Sequence, residues 1–426
     1  MNVKYITLGC KVNQYETEAI RELFNRSGYT DFENEKADII VINTCSVTAQ
    51  SDKKAGQTLR RCRKENPQAV IILTGCMVQA FPERSESLKE ADIIIGNTDI
   101  SKILSETEKF LKTKLRIFSV EGHKATDVYN TPLISNFRER TRAYMKIEDG
   151  CDRFCTYCII PYAKGRVRSR SLEEIKKEAK MLALNGFSEI VLVGINLSSY
   201  GKGENFDLAD AVDTVCETEG IKRVRLGSLE PDCISDEMLK RLKSQEKFCP
   251  QFHLSLQSGC DETLKRMNRH YDGKFYEDLV TRIRNMFEDA AVTTDIMVGF
   301  AGETYEEFEK SVSFVKKIGF ARSHIFPYSI RKGTPAEKYP DQIKKEIKSL
   351  RAKKLSEICI KSEEEFLNKL CGRSFDVLFE SKKGNTYEGY TANYSKVFVK
   401  SNEDIRGKIL NVKITQAFSD HCTGIL

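Results

Sequence analysis

From its first residues to about residue 330, the chain alternates short apolar runs with stretches of helical periodicity. The first four apolar runs span residues 4–8, 38–42, 70–73 and 92–95. Strands that alternate with helices in this way typically form a parallel sheet covered by helices. The sequence therefore predicts an α/β fold whose first part is a parallel-sheet domain over residues 1–115.

A second series of strand and helix patterns follows a polar connection at residues 113–137. Strands are predicted at residues 142–147, 189–193, 224–226, 252–256, 292–298 and 323–328, and helical patterns between them include 173–185 and 305–318. A series of this length indicates a full or partial α/β barrel over residues 137–368. The chemistry of such barrels lies at the carboxyl ends of their strands.

The pattern changes again in the last part of the chain. Residues 338–369 are rich in charge and have helical apolar spacing, which is most simply a long surface helix. Beyond Cys371 apolar residues alternate with polar ones, as at Phe375, Val377 and Phe379. Residues 369–426 are therefore predicted to form a small antiparallel β-barrel.

Three cysteines, Cys10, Cys45 and Cys76, each lie two or three residues past an apolar run of the first domain. The carboxyl ends of parallel strands meet at one edge of the sheet, where ligands bind, so these thiols are expected to converge. A single cysteine is more often a small buried hydrophobe than a ligand. The recurrence of cysteine at the same position after three strands favours a set of ligands. Cys62 is not assigned to this set, because no strand precedes it.

Three more cysteines, Cys151, Cys155 and Cys158, follow the first predicted barrel strand with Cx3Cx2C spacing. This spacing suits three thiolates that bind three irons of a cubane cluster and leave the fourth iron open to a small molecule. The alternative is a zinc site or a redox pair. Zinc requires four ligands, and no second CxxC follows at finger or ribbon spacing. A redox pair has no use for Cys151.

The triplet, with Tyr157 before its last cysteine, resembles the motif of the radical SAM superfamily, whose members cleave S-adenosylmethionine (SAM) to radicals. The segments TLGCKVNQYE at 7–16, NTCSVT at 43–48 and TGCM at 74–77 resemble the methylthiotransferases of that superfamily. The resemblance implies two [4Fe-4S] clusters and assigns catalytic, metal-binding roles to all six cysteines. Cys151, Cys155 and Cys158 would hold the SAM-cleaving cluster. Cys10, Cys45 and Cys76 would hold an auxiliary cluster that carries the sulfur.

Polar and glycine-bearing groups follow several other barrel strands. Glycine allows a ligand to approach the backbone closely, although any one such group alone would be an ordinary loop. Their common placement supports a SAM site near the triplet. By the resemblance, Gly194 and Asn196 contact the methionyl part, and Ser228 and Glu230 lie in the next wall. The residues assigned to the cofactor are Tyr157, Gly194, Asn196, Ser228, Glu230 and Gln257.

The charge of the chain and its C-terminal module are compatible with a nucleic-acid partner. The net charge of +6 over 426 residues permits a polyanionic partner without being evidence for one. Basic residues at 138–142 and 164–170 are either a solvated face or contacts to RNA phosphates. The C-terminal module, by its position, resembles the RNA-binding TRAM domain, with a structural cap as the alternative.

The chain start lacks the basic then apolar order of a signal peptide, and no apolar run approaches membrane-spanning length. A cytoplasmic protein with neither membrane nor DNA as partner is therefore expected. Fourteen cysteines in that compartment indicate metal binding or chemistry rather than a disulfide framework, and they predict oxygen sensitivity.

The resemblance implies a tRNA substrate. Residues 8–16 favour the branch that methylthiolates C2 of N6-threonylcarbamoyladenosine beside the anticodon. The rivals are the isopentenyladenosine branch, the branch acting on a ribosomal-protein aspartate and, in another class, a non-catalytic iron–sulfur RNA-binding protein. SAM would be both radical source and methyl donor, and an electron donor such as flavodoxin or ferredoxin is expected. Ser329 and Arg331 are candidates for reading the modified adenine.

Overall fold

The computed structural model describes residues 1–32, 36–138 and 141–426, and its first unit is a six-stranded parallel sheet. Its elements are β1 (Asn2–Thr7), α1 (Lys11–Arg26), β2 (Thr30–Asp31), β3 (Ile39–Thr44), α2 (Ala49–Glu65), β4 (Val70–Gly75), α3 (Cys76–Ala80), α4 (Pro82–Glu86), β5 (Ile93–Ile95), α5 (Lys102–Thr113) and β6 (Ile117–Ser119). The strand order is β2-β1-β3-β4-β5-β6. The sheet therefore extends past residue 115. Its last strand, β6, lies within the stretch that was predicted to be a polar connection.

Both faces of this sheet are covered by helices. Strands β3 and β4 are buried along their whole length, which explains their continuous apolar runs. Ile20 of α1 and Ile103 of α5 pack on one face. Leu59 of α2 packs on the other face. The carboxyl edge of the sheet is left for the cysteine-bearing loops.

The second unit is an open barrel of βα units. Its elements are β7 (Arg142–Lys146), β8 (Glu148–Asp149), α6 (Ile160–Lys164), β9 (Arg168–Ser169), α7 (Leu172–Leu184), β10 (Glu189–Val193), α8 (Leu208–Cys216), β11 (Arg223–Leu226), β12 (Ser228–Leu229), α9 (Asp236–Ser244), β13 (Gln251–Leu254), α10 (Asp261–Arg266), α11 (Gly273–Met286), β14 (Ala291–Val298), α12 (Tyr305–Ile318) and β15 (Arg322–Pro327). Strands pair in parallel in the orders β11-β10-β7 and β12-β13-β14-β15. Within the described part of the chain no pairing joins β7 to β15, so the barrel is partial.

The last unit is a helix followed by a closed barrel. Its elements are α13 (Lys345–Asn368), β16 (Ser374–Lys383), β17 (Thr386–Thr391), β18 (Lys396–Lys400), β19 (Ile409–Ala417) and β20 (Cys422–Ile425). The barrel order is β16-β17-β18-β20-β19, and every pair is antiparallel except β18 with β20. The prediction of a surface helix at 338–369 is wrong in part, because α13 packs against β15 and buries Leu355 and Cys359.

Three arginines of core strands bind the C-terminal barrel, and two of them, Arg142 and Arg223, are the first residues of their strands. Arg223 donates to the Asp376 carbonyl at 2.6 Å, and Arg225 donates to the Ala392 carbonyl at 2.8 Å. The Arg142 guanidinium lies 4.9 Å from the ring centre of Tyr394. The C-terminal barrel therefore covers the amino-terminal end of the core. No helix in the described ranges is both long and apolar enough to cross a membrane.

Candidate active site

The structure brings Cys10, Cys45 and Cys76 to the carboxyl ends of the adjacent strands β1, β3 and β4. Strands β3 and β4 each end two residues later than predicted, so Cys45 and Cys76 follow them directly. Burial raises the pKa of the Cys76 thiol, and the neighbouring Cys10 and Cys45 add to the effect. The prediction that these cysteines converge agrees with this arrangement.

The backbone of Gly9 and the side chain of Asn13 determine the shape of the loops that carry these thiols. Gly9 has a φ of +124°, and a β-carbon there would lie 2.8 Å from Cβ of Cys45. Asn13 accepts a hydrogen bond from the Cys10 thiol at 3.3 Å and donates to the Thr44 carbonyl at 2.9 Å. The loops after β1 and β3 are therefore locked to each other, which orients two of the three sulfurs.

The second cysteine set lies in the loop between β8 and α6. Cys155 is buried, and Cys151 and Cys158 are partly buried. Burial, helped by the neighbouring Cys155, raises the pKa of Cys158 to about 12. Burial also raises the pKa of Cys151 to about 12. A metal that binds Cys151 and Cys158 must therefore displace protons that these two thiols would otherwise hold at neutral pH.

A buried carboxyl group lies beside Cys151. The Asn196 backbone N–H donates to Glu148 Oε2 at 2.7 Å, and a β-carbon at Gly194 would lie 2.5 Å from that oxygen. Burial raises the pKa of Glu148 well above its usual range, and Glu148 in turn contributes to the raised pKa of Cys151. Glu148 Oε1 and Asn196 Oδ1 are buried without a hydrogen-bond partner among the described residues. Such orphaned polar atoms fit a polar ligand at this position.

Arg269 links Glu230 to the triplet. Its guanidinium donates to Cys155 Sγ at 3.2 Å, pairs with the Glu230 carboxylate and donates to the Tyr271 hydroxyl. Arg269 could not be identified from the sequence, because it lies 114 residues from Cys155 and belongs to no motif. Glu230, which was assigned to the cofactor from sequence, is thereby held next to the cysteines.

The remaining residues assigned to the cofactor occupy different surroundings. The Tyr157 ring packs edge-on against Phe300, with ring centres 6.2 Å apart. Gln257 adopts a φ of +65° and pairs through its backbone with the strand β14. Ser228 lines a cavity that also contains Lys11 and His253. Gly194 and Asn196 therefore lie near the triplet through Glu148, and Glu230 lies near it through Arg269. Ser228 instead lines the cavity that Lys11 and His253 share.

A short helix joins the two cysteine sets. Helix α6 begins two residues after Cys158 and packs against α3, which begins at Cys76. The last residue of α6, Lys164, is fully buried and pairs with Glu16 at 2.5 Å. The Lys164 ammonium opposes the effect of burial on the pKa of Cys76. The two cysteine sets therefore share one packed contact.

Half of the described basic residues in the runs at 138–142 and 164–170 are buried. Lys164 and Arg170 are fully buried, and Arg142 pairs with Glu380 and Glu189. Both interpretations from sequence, a solvated face or RNA contacts, are therefore wrong for these three residues. Arg166 is exposed. Glu139 and Arg140, in the run at 138–142, lie outside the described residues.

The late barrel strand contacts the loop after Cys45. Arg331 donates to the Ser46 hydroxyl at 2.8 Å, and the Ser329 hydroxyl accepts from the Ala49 backbone N–H at 3.1 Å. Both side chains, which were candidates for reading the modified adenine, are thus used to hold the first unit against the core.

The donor sets suit a cluster better than a single ion. In the described ranges, no three His, Cys, Asp or Glu side chains converge closely enough to hold one metal ion. A cubane cluster takes each thiolate on a different iron, so its ligands stand farther apart than the ligands of zinc. Two sets of three thiols, one beside orphaned polar atoms, have the chemistry of cluster ligands.

The chain matches two family models. One is described as Radical SAM superfamily and covers residues 145–315, and the other is described as Uncharacterized protein family UPF0004 and covers residues 2–96. The first model contains the triplet and the second contains Cys10, Cys45 and Cys76.

Curated relatives match over nearly the whole chain. The chain is 40% identical to threonylcarbamoyladenosine tRNA methylthiotransferase MtaB of Bacillus subtilis (strain 168), covering 97% of this chain and 94% of that protein. It is 37% identical to the protein of the same name from Aquifex aeolicus (strain VF5), covering 92% and 95%. It is 36% identical to tRNA-2-methylthio-N(6)-dimethylallyladenosine synthase of Caldicellulosiruptor saccharolyticus, covering 97% and 89%.

Solved structures share the fold. The radical S-adenosylmethionine methyltransferase TsrM from Kitasatospora setae aligns with a TM-score of 0.59 at 14% identity, covering 79% of this chain and 73% of that chain. The cobalamin-dependent S-adenosylmethionine radical enzyme OxsB aligns with a TM-score of 0.52 at 12% identity, covering 84% and 56%. At these identities the likeness is one of architecture.

Proposed function

Because the chain belongs to the radical SAM methylthiotransferases and the relatives described above are named for tRNA modification, we propose that it methylthiolates C2 of N6-threonylcarbamoyladenosine beside the anticodon. The product would be 2-methylthio-N6-threonylcarbamoyladenosine. The structural observation that carries the proposal is the packing of α3 against α6, which joins the two cysteine sets. A reaction that needs both a radical source and a sulfur carrier requires two such sets close together.

Two [4Fe-4S] clusters would be held by the two cysteine sets, Cys151, Cys155 and Cys158 in the core and Cys10, Cys45 and Cys76 in the first unit. When bound, the clusters and SAM supply the radical, the sulfur and the methyl group. Glu148 and Asn196 would bind the polar end of SAM, because both present buried, unpartnered oxygens beside Cys151. Arg269 would orient Glu230 and donate to the Cys155 sulfur.

The partners follow from the same proposal. The substrate is tRNA, and the reaction takes place in the cytoplasm with electrons from a donor such as flavodoxin or ferredoxin. The C-terminal barrel, in the role of a TRAM domain, would contact the RNA. In support, Phe418 is exposed and stacks on His421 with ring centres 4.7 Å apart, and such a flat aromatic surface suits stacking of unpaired bases.

The second candidate function is methylthiolation of N6-dimethylallyladenosine. It is favoured by relatives of that name at 35–36% identity. The threonylcarbamoyl substrate is preferred because the relatives with the higher identities, 40% and 37%, carry that name.

The test is mass spectrometry of tRNA nucleosides from cells with the gene deleted and with it restored. We expect 2-methylthio-N6-threonylcarbamoyladenosine to disappear on deletion, its precursor to accumulate, and both to recover on restoration. An unchanged level of that nucleoside would contradict the proposal. Loss of the methylthio group from dimethylallyladenosine instead would establish the second candidate.

A further inference from the structure

A cavity of about 380 Å³ is lined by residues from all three units. Lys11 comes from the first unit and Tyr394 from the C-terminal barrel. The core strands contribute the rest of the lining: Leu226, Gly227, Ser228, Gln251, His253, Thr293, Asp295, Arg322 and His324. This volume is within the range of small-ligand pockets.

Four polar side chains on the wall of this cavity, Gln251, His253, Thr293 and Asp295, are bonded to one another. His253 lies between Thr293, whose hydroxyl is 3.0 Å from Nδ1, and Asp295, whose carboxylate is 3.3 Å from Nε2. Gln251 also donates to the Thr293 hydroxyl, at 3.1 Å. The carboxylate of Asp295 is therefore already engaged, and the wall offers little to an apolar ligand.

Lys11 is the unpaired cation of this cavity. Its side chain is exposed, and it makes no ion pair with a carboxylate in the part of the chain that the structure describes. Asp295, across the cavity, is within electrostatic range of Lys11, but its carboxylate is paired with His253. Arg142 and Arg225, also within range of Lys11, have Glu189 as a partner. Lys11 is therefore the cation left to take an incoming anion. Lys11 also directly follows Cys10, so a ligand held by Lys11 lies beside the first cysteine set.

We propose that this cavity receives the N6 side group of the target adenosine and that Lys11 pairs with the carboxylate of that group. The inference rests on the proposed function and names the residue that decides the substrate. A threonylcarbamoyl group carries a carboxylate and a hydroxyl, whereas a dimethylallyl group is a hydrocarbon. The hydrocarbon would leave Lys11 without a partner and would lie against a polar wall, which costs affinity.

The test is binding of three synthetic anticodon hairpins by fluorescence anisotropy to the cluster-loaded protein. The hairpins carry N6-threonylcarbamoyladenosine, its methyl ester or N6-dimethylallyladenosine. We expect the free acid to bind about tenfold more tightly than the ester, as for one charge-assisted hydrogen bond. Lys11→Gln should reduce this preference below about twofold, and Lys11→Arg should retain most of it. Lys180→Gln, an exposed lysine on α7, should leave it unchanged.

The outcomes separate this inference from the function on which it rests. If the wild-type protein methylthiolates the free-acid hairpin but binds acid and ester alike, the pairing is wrong and the function stands. A full preference in a Lys11→Gln protein also overturns the pairing. Iron content is measured for each variant, and if Lys11→Gln loses iron, the comparison of acid and ester on wild-type protein decides. Modification of the dimethylallyl hairpin alone would overturn both proposals.

Discussion

Arg331 and Asp52 form a buried ion pair that joins the core barrel to the first unit. Nη2 of Arg331 lies 2.7 Å from Oδ2 of Asp52, and the two side chains are 3% and 4% exposed. Asp52 lies in the first turn of α2 and also accepts from the Ser46 hydroxyl at 3.1 Å. The pair therefore anchors the loop that carries Cys45 against the strand end of β15.

Breaking this pair should destabilise the protein. Arg331→Met leaves the Asp52 carboxylate buried with the neutral Ser46 hydroxyl and the more distant Arg84, at 3.5 Å, and we expect a loss of about 3 kcal/mol. The measurement is urea unfolding of the reduced, metal-free protein. Arg84→Met, in which the side chain is 58% exposed, should cost less than about 1 kcal/mol. Equal effects of the two variants would contradict a special role for Arg331.

Removing one thiol of the first cysteine set should abolish methylthio transfer without abolishing cleavage of SAM. Cys45→Ala is expected to keep reductant-dependent formation of 5′-deoxyadenosine but to abolish methylthio transfer, with about half of the iron lost. Cys62→Ala is the matched control, since Cys62 is also a buried cysteine of the first unit but lies within α2. Full transfer activity in the Cys45→Ala protein would exclude its assigned role.

Acid should weaken the network of Glu16 with Lys146 and Lys164. Burial alone would raise the pKa of Glu16, but the two ammonium groups hold it below its ordinary value of 4.5. A carboxyl whose pKa is lowered by folding adds stability above its unfolded pKa and loses it as the pH falls further. We therefore expect unfolding free energy to fall steeply below about pH 4.5.

Glu16→Gln should make that fall shallower while lowering stability at pH 7 by about 3 kcal/mol, since two ammonium groups lose their shared partner. The measurement is the urea midpoint of the metal-free protein between pH 3.5 and pH 7. Glu219→Gln, at an exposed position, serves as the control. An unchanged acid slope in Glu16→Gln would show that other carboxylates govern the transition.

Tyr394 should help to couple radical formation to transfer. Its ring lies 4.8 Å from the Arg225 guanidinium and lines the cavity together with Lys11. Tyr394→Ala would let water reach the cavity from the C-terminal side, and we expect at least about threefold more 5′-deoxyadenosine per methylthio product. Tyr394→Phe keeps the ring and should stay near the wild-type ratio. Both products are quantified in the same anaerobic reaction.

Local signals allowed much of the fold to be predicted. Helix α12 begins and ends at the predicted residues, 305 and 318, because Thr304 and Glu307 form a capping box and Gly319 ends the helix in the left-handed conformation. The placement of Cys10, Cys45 and Cys76 followed from strand ends of a parallel sheet. These features depend on residues that are near in sequence.

Contacts between distant segments could not be predicted from sequence. Lys164 and Arg142 look like surface charge in the sequence, and only the packing of the units shows that each has a buried partner. Arg269 reaches Cys155 across 114 residues. The cavity of Lys11, His253 and Tyr394 combines three segments that share no periodic pattern.

The contact of the arginines with the C-terminal barrel constrains how the protein can be altered by evolution or design. Arg223 and Arg225 bind main-chain carbonyls of that barrel, and Tyr394 completes the lining of the cavity. A foreign RNA-binding module attached after α13 would have to present carbonyls and an aromatic ring at the same positions. The C-terminal barrel and the arginine-bearing strands are therefore expected to change together. A replacement module that restored RNA affinity alone would still leave the cavity without the ring that completes its lining.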